Sequence, residues 1–344
     1  MKQIVKTLSV FAFVGMLLIP SMAANAQSSA LSITPRRELT VQKGTTVQGT
    51  LPVTNPRSDA QLTLTLKIVD FTAKDQTGTP SLDISNDAKV QPWSLKNYMT
   101  LPKTITIEAG ESRNIPFSVT MPANIGAGSY YSAIQYTADN SGGDKNVTVV
   151  AAATTLVFVN VPGDAKEQLA LTKLGAFSGD KGSNNGDFKL FYFGDKPKLI
   201  SYTLKNNGNV SERPVGGIIL KNSFTGKSLR IDNINREDSV ALIGQERRFD
   251  ACINTVEQTT KTATDEVRTD KCDTPSLSPG RYTITFSAFY GQGNGKSLEI
   301  MGTSSFWYLP WWFVVLVVLV ILILVALVWW IVNKVKSRTP ARRR

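Results

Sequence analysis

Leu62-Thr63-Leu64-Thr65-Leu66-Lys67-Ile68 sets an apolar side chain at every second position, with polar ones between. A period of two marks a strand with one face on a core and the other in water. The pattern spreads outward from there. Thr104 to Ile107, Asn114 to Thr120, Tyr130 to Thr137 and Val147 to Val159 read as further strands. So do Phe188 to Phe193, Lys198 to Lys205, Val215 to Leu220 and Tyr282 to Tyr290. Turn residues punctuate them at Asn55-Pro56, Asn185-Gly186, Asn206-Asn207-Gly208 and Pro279-Gly280. Between the two ends of the chain no stretch holds a long helical period, so the chain reads as all-β and built of sandwiches.

Three features recur in the same order. Val47 to Asn55 and Leu199 to Asn207 are strands that end in an asparagine turn. Gly110-Glu111-Ser112-Arg113 and Gly244-Gln245-Glu246-Arg247 each lead into a strand. Gly126-Ala127-Gly128-Ser129-Tyr130 and Ser278-Pro279-Gly280-Arg281-Tyr282 each start one. The second copy is longer between the last two features, and the surplus carries both cysteines, Cys252 and Cys272. This order predicts two related sandwich domains, 27–162 and 163–306, the second with an inserted hairpin or loop. Val161-Pro162-Gly163-Asp164 marks the junction. In an exported chain the two thiols are expected to pair, closing a loop of about 20 residues worth roughly 3 kcal/mol in the chain-entropy model. A zinc site competes poorly, because two thiols and no histidine leave a tetrahedral shell unfilled.

The ends of the chain carry targeting signals. Lys2 and Lys6 precede an apolar run from Leu8 to Pro20, and Ala24-Asn25-Ala26 supplies small residues for cleavage before Gln27. Residues 1–26 therefore read as a signal peptide. Trp311 to Val332 holds no charged residue; about 22 residues at 1.5 Å each give roughly 33 Å, enough for a hydrocarbon core. Trp311, Trp312, Trp329 and Trp330 lie near its ends, where indole rings suit the two membrane interfaces. Residues 307–333 read as a single transmembrane helix. The tail 334–344 adds Lys334, Lys336, Arg338, Arg342, Arg343 and Arg344 with no acid, a cytoplasmic stop. The expectation is a single-pass cell-membrane protein with its N-terminal ectodomain outside and its C-terminus in the cytoplasm. Leu309-Pro310-Trp311-Trp312 lacks the motif that a sortase cleaves, so the helix reads as the final anchor.

The net charge of +11 belongs mostly to those ends. Of 38 basic residues, two lie in the leader and six in the tail, leaving 30 against 27 acids. A nearly neutral ectodomain argues against nucleic-acid binding.

Chemistry is sparse. The chain has no histidine, which removes histidine triads, histidine bases and most catalytic zinc sites. Ser178-Gly179-Asp180-Lys181 fits a Ser-any-any-Lys pattern, but it sits in a Gly/Asn-rich loop and not at a helix start. Gly291-Gln292-Gly293-Asn294-Gly295-Lys296-Ser297 misses phosphate-loop spacing and is flanked by strands, so it reads as a hairpin tip. Asp180 to Asp187 lacks a spaced carboxylate ladder for calcium. No catalytic, cofactor or metal-ligating residue is assigned, and the chain reads as non-enzymatic. Trp93, Tyr98, Tyr130 and Tyr131 are the candidate contacts for a glycan or a partner protein, each equally readable as core or rim. Tyr130 and Tyr131 are adjacent in a strand and must point to opposite sides.

The first domain resembles a known pattern. Ile33-Thr34-Pro35, Lys43-Gly44, Val53-Thr54-Asn55-Pro56, Trp93 and Ile107-Glu108-Ala109-Gly110-Glu111 come in order. Phe117-Ser118-Val119-Thr120-Met121-Pro122 and Gly128-Ser129-Tyr130-Tyr131-Ser132-Ala133-Ile134 follow. Over residues 30–162 this resembles the N-terminal Ig-like domain of the WxL-interacting surface proteins of Gram-positive bacteria. That resemblance implies two Ig-like β-sandwiches followed by one transmembrane α-helix and a basic tail. It also implies an adhesin-like role, the first domain associated with peptidoglycan and the second with host or partner proteins. The expected function is a membrane-anchored binding protein that contacts cell-wall polymer or other surface proteins. An accessory or assembly subunit of a membrane complex is the alternative, and a surface hydrolase a remote one.

Overall fold

The computed structural model describes residues 31–336, apart from 59, 86–88, 139–151, 262–265 and 292–296. The leader, the tail from Arg338 onward, the start of the strand expected at Val147 and most of the glycine-rich 291–297 tip lie outside the described residues.

The first domain holds β1 (Ser32–Ile33), β2 (Arg36–Thr40), β3 (Thr46–Thr54), β4 (Leu62–Ala73) and β5 (Pro80–Asp83). It continues with β6 (Met99–Thr100), β7 (Thr104–Ile107), β8 (Ser112–Thr120), β9 (Gly128–Ala138) and β10 (Ala152–Val161). One sheet runs β1-β3-β8-β6; the other runs β2-β10-β9-β4-β5, with β7 beside β4. The second domain holds β11 (Leu169–Phe177), β12 (Phe191–Phe193), β13 (Leu199–Asn206), β14 (Val215–Asn222) and β15 (Ser228–Ile231). After these come β16 (Glu246–Cys252), β17 (Asn254–Lys261), β18 (Glu266–Asp273), β19 (Gly280–Tyr290) and β20 (Leu298–Leu309). Its sheets run β11-β13-β16 and β12-β20-β19-β14-β15.

The two orders match strand for strand: β1, β3 and β8 become β11, β13 and β16, and β2-β10-β9-β4-β5 becomes β12-β20-β19-β14-β15. Both domains are Ig-like sandwiches, antiparallel except that β2 lies parallel to β10 and β12 parallel to β20. The surplus between β16 and β19 is a separate hairpin, β17 with β18. Cys272 in β18 is bonded to Cys252 at the end of β16, with Cα atoms 5.1 Å apart, which pins the hairpin to the sandwich.

The recurring sequence features prove to be the same joints built twice. Asn55 is fully buried at the end of β3; its Nδ2 donates to the Ala60 and Glu108 carbonyls, and its Oδ1 accepts the Arg57 N–H. Asn206 repeats this at the end of β13, donating to the Val210 and Ala241 carbonyls and accepting the Gly208 N–H. The Asn55 N–H bonds Glu111, and the Asn206 N–H bonds Gln245, which explains the paired Gly-Glu and Gly-Gln turns. At the starts of β9 and β19, Gly128 and Gly280 take φ values of 141° and 140°, which only glycine holds without strain. Two residues on, Tyr130 and Tyr282 each donate a phenolic O–H to a carbonyl four residues back, Gly126 and Ser278. These are tyrosine corners.

Two apolar clusters fill the sandwiches. Leu51, Leu64, Ile107, Phe117 and Tyr136 centre the first, and Tyr202, Phe249, Ile284, Phe286 and Phe306 the second. β20 runs on to Leu309, three residues past the expected boundary, and Pro310 alone separates it from the helix α1 (Trp311–Lys336). The helix therefore starts at 311 and not 307: residues 307–309 pair with Phe191–Phe193, and a strand wins where its neighbour satisfies the backbone. α1 is long and apolar enough to cross a membrane.

Candidate functional site

The residues singled out from the sequence gather around β9, on both of its faces. Between β5 and β6 the chain crosses β9, and a buried carboxylate fastens it there. Asp70, 2% exposed, accepts the Ser94 hydroxyl at 2.6 Å and the Ser132 hydroxyl at 3.0 Å, and lies 3.3 Å from the Lys96 ammonium. The Leu95 N–H donates to Ser132 Oγ, and the Tyr131 N–H donates to the Trp93 carbonyl. This lays the Trp93 ring over Tyr131, centroids 5.8 Å apart and 26° from parallel. Phe71 and Phe158 close on the same tyrosine.

The second domain covers what remains. Val240 and Leu242 join Val69, Phe71, Tyr131, Ala133 and Phe158 in one buried cluster. Tyr131 is wholly buried, and burial pushes its phenol far above the usual range, with the Asp70 charge adding to the effect. The expectation that Tyr131 serves as an open ligand contact is therefore corrected: it belongs to the seam between domains. Tyr130 points the other way, forms its corner bond and meets Tyr98 edge-on at 6.2 Å. Trp93 and Tyr98 keep part of their surface exposed, on opposite sides of the strand and so not on one shared face.

Polar contacts ring the seam. Arg36 bonds Asp238, and Arg213 bonds Glu38. The Ala73 N–H donates to Gln245 Oε1 at 2.8 Å, the Asn209 amide to the Ala127 carbonyl at 2.9 Å, and the Ser211 N–H to Ser129 Oγ at 2.9 Å. The domains are thus joined by a shared apolar core as well as by the linker. Sequence reasoning missed this seam. Its signal was the absence of any charged residue from 128 to 138, the mark of a strand buried on both faces.

Ser132, Lys96 and Asp70 superficially resemble a hydrolytic set. Ser132 is fully buried and both partners converge on Asp70, so no substrate carbonyl can reach Ser132 Oγ. Ser178 and Lys181 do not face each other as a dyad: Ser178 bonds Asp187 across its loop, and Lys181 pairs with Glu237 at 2.7 Å. Among the described residues no three His, Cys, Asp or Glu side chains cluster as metal ligands.

Besides small hollows along the seam, two larger concavities stand open. A shallow groove of about 780 Å³ crosses the first domain, lined by the polar side chains of Arg37, Gln48, Thr50, Thr100 and Ser118 and the apolar ones of Leu101, Pro102, Pro116 and Phe117. A smaller hollow of about 330 Å³ lies in the second domain beside Cys252. Several of its charges are paired with one another, Arg248 with Asp250 and Arg236 with Asp270. The groove offers hydroxyl, amide and guanidinium groups but no acid–base pair, which suits holding a polar ligand and not transforming one.

No family model matches the chain, and no curated protein matches it. Among solved structures it is similar to the class 5 fimbriae chaperone CfaA: 12% identity, 80% of this chain, 98% of that one, TM-score 0.38. It is also similar to the Salmonella enterica SafA pilin–SafB chaperone complex (9%, 80% and 96%, TM-score 0.33). A third is the CsuC–CsuE pre-assembly complex of Acinetobacter baumannii (10%, 79% and 97%, TM-score 0.33). Overlap this loose carries no functional argument.

Proposed function

We propose that this chain is a non-enzymatic surface protein, held in the cell membrane by α1, that binds cell-wall polymer or other envelope proteins through its sandwiches. The observation that carries the reading is the open groove of the first domain, where Arg37, Gln48, Thr50, Thr100 and Ser118 stand beside apolar Leu101, Pro102, Pro116 and Phe117. Its hydroxyl and amide groups suit sugar hydroxyls and acetamido groups, and Arg37 suits a carboxylate. The motif likeness of residues 30–162 to the WxL-interacting proteins points the same way. The orientation follows from the basic tail: sandwiches outside, C-terminus inside.

A pull-down of the purified ectodomain on cell-wall sacculi tests this. Retention is expected, with Arg37→Glu weakening it and leaving the unfolding midpoint unchanged. If neither domain is retained and no envelope protein is recovered, the reading fails.

The outer face of β14, β19 and β20 favours a second reading, an assembly subunit. Val215, Ile219, Phe289 and Met301 share that face and are 41–69% exposed, a surface suited to a protein partner. Crosslinking in intact cells that captures partners there, or near 306–310, would favour it over wall binding.

A further inference from the structure

Because a single residue separates β20 from α1, the second sandwich stands directly at the helix entry. Around that entry the fold leaves aromatic rings uncovered. Phe191 and Phe193 project from β12, each 51% exposed, and stack with centroids 6.2 Å apart. Phe224, 57% exposed, follows β14 and meets Trp307 at 5.9 Å and Phe313 of the helix at 6.4 Å. Phe193 meets Trp311 at 6.3 Å. Gly194 makes room for that contact: at φ 82° it is in the left-handed region, and a Cβ there would sit 3.0 Å from the Trp311 ring. Segments far apart in sequence thus form one aromatic collar around the helix start.

The flanks are basic. Lys189, Lys196 and Lys198 flank the β12 rings in sequence, and Lys221 and Lys227 flank Phe224, while Arg230 beyond them is ion-paired with Asp232. Asp195 is the one acid in 188–198, and 221–231 has none. Aromatic rings flanked by cations match the headgroup layer of a bilayer, which offers apolar contact below and anionic charge above.

We propose that this collar is a second membrane-contact surface, lying in the lipid headgroup layer of the membrane that α1 crosses. The proposal rests on reading α1 as a membrane span. Continuity with the helix selects the bilayer over a protein partner, since one residue of slack keeps the collar level with Trp311 and Trp312, the expected interface residues.

The test uses the full chain in vesicles of phosphatidylcholine and phosphatidylglycerol. Cys252 and Cys272 are bonded to each other, so a new cysteine is the one free thiol. Nitrobenzoxadiazole is attached in turn to Phe193→Cys, Phe224→Cys, Leu322→Cys in mid-helix and Asn97→Cys on the first domain. All four sites are exposed, which spares the core. The 193 and 224 probes are expected to shift to the blue and lose emission to headgroup nitroxide lipids. The 322 probe loses emission to mid-chain nitroxide, and the 97 probe responds to neither. An unquenched 322 probe would refute the span and the proposal with it. A quenched 322 probe with 193 and 224 in water would refute the collar alone. Probes at 193 and 224 that are shielded from water but insensitive to lipid nitroxides would mean that a protein covers the collar, which also overturns the proposal.

Discussion

Replacing Asn206 by alanine removes the amide that serves two carbonyls and one N–H inside the second sandwich. The bonds to the two carbonyls are buried, so the loss leaves those carbonyls unpaired, at a cost of about 2–3 kcal/mol. Asn55→Ala should cost a similar amount in the first domain, and urea unfolding of each variant measures it. A second residue sets a pH dependence. Glu212 is fully buried, and burial raises its carboxyl from 4.5 to about 7, offset in part by the Gly291 N–H and reinforced by the Glu167 charge. The unfolded chain releases this proton near 4.5 while the folded one holds it. This group's contribution to stability therefore declines as pH rises from about 4.5 to about 7, and the cost is complete above that. Glu212→Gln should flatten the thermal midpoint across that window. An unchanged pH slope in the variant would assign the dependence elsewhere.

At the level of elements, the hairpin β17–β18 behaves as an appendage. The β17–β18 ladder pairs with neither sandwich, and the disulfide ties β18 back to the end of β16. Cys252→Ser with Cys272→Ser should destabilise the second domain by about 3 kcal/mol. The same change should speed proteolysis within 254–273 while both sandwiches resist. Much of this level could be read in the chain. The alternation of Leu62 to Ile68 is the inner face of β4, the asparagine and glycine–tyrosine signals are the repeated joints, and the cysteine surplus is the added hairpin. What could not be read was non-local. β1 and β6, at two residues each, are too short for a period to register, and they exist because β3 and β8 offer them edges. Tyr131 could be assigned to one side of β9 but not to a partner, because Val240 and Leu242 lie more than a hundred residues away.

In the whole molecule, the seam fixes one domain against the other. Leu242→Asp places a carboxylate in the apolar cluster between them, where it cannot be solvated without opening the joint. Small-angle scattering should then show a larger radius of gyration and a longer maximum dimension, with each sandwich still unfolding cooperatively. The milder Leu242→Ala should weaken the coupling by about 2–5 kcal/mol. Parallel pairing bears on another property of the molecule, its response to tension. β2 lies beside β10 over the register Arg36 to Thr40, and β12 beside β20 at the last residues before the helix. When the chain is stretched between its two ends, the early strand and the last strand of each sandwich are drawn in opposite directions along one shared ladder. Its hydrogen bonds are then loaded together, in shear, and cannot peel one at a time. A chain with this pairing, stretched between its ends, holds under a steady pull and yields abruptly, which single-molecule extension of the two domains would register as two separate rupture events.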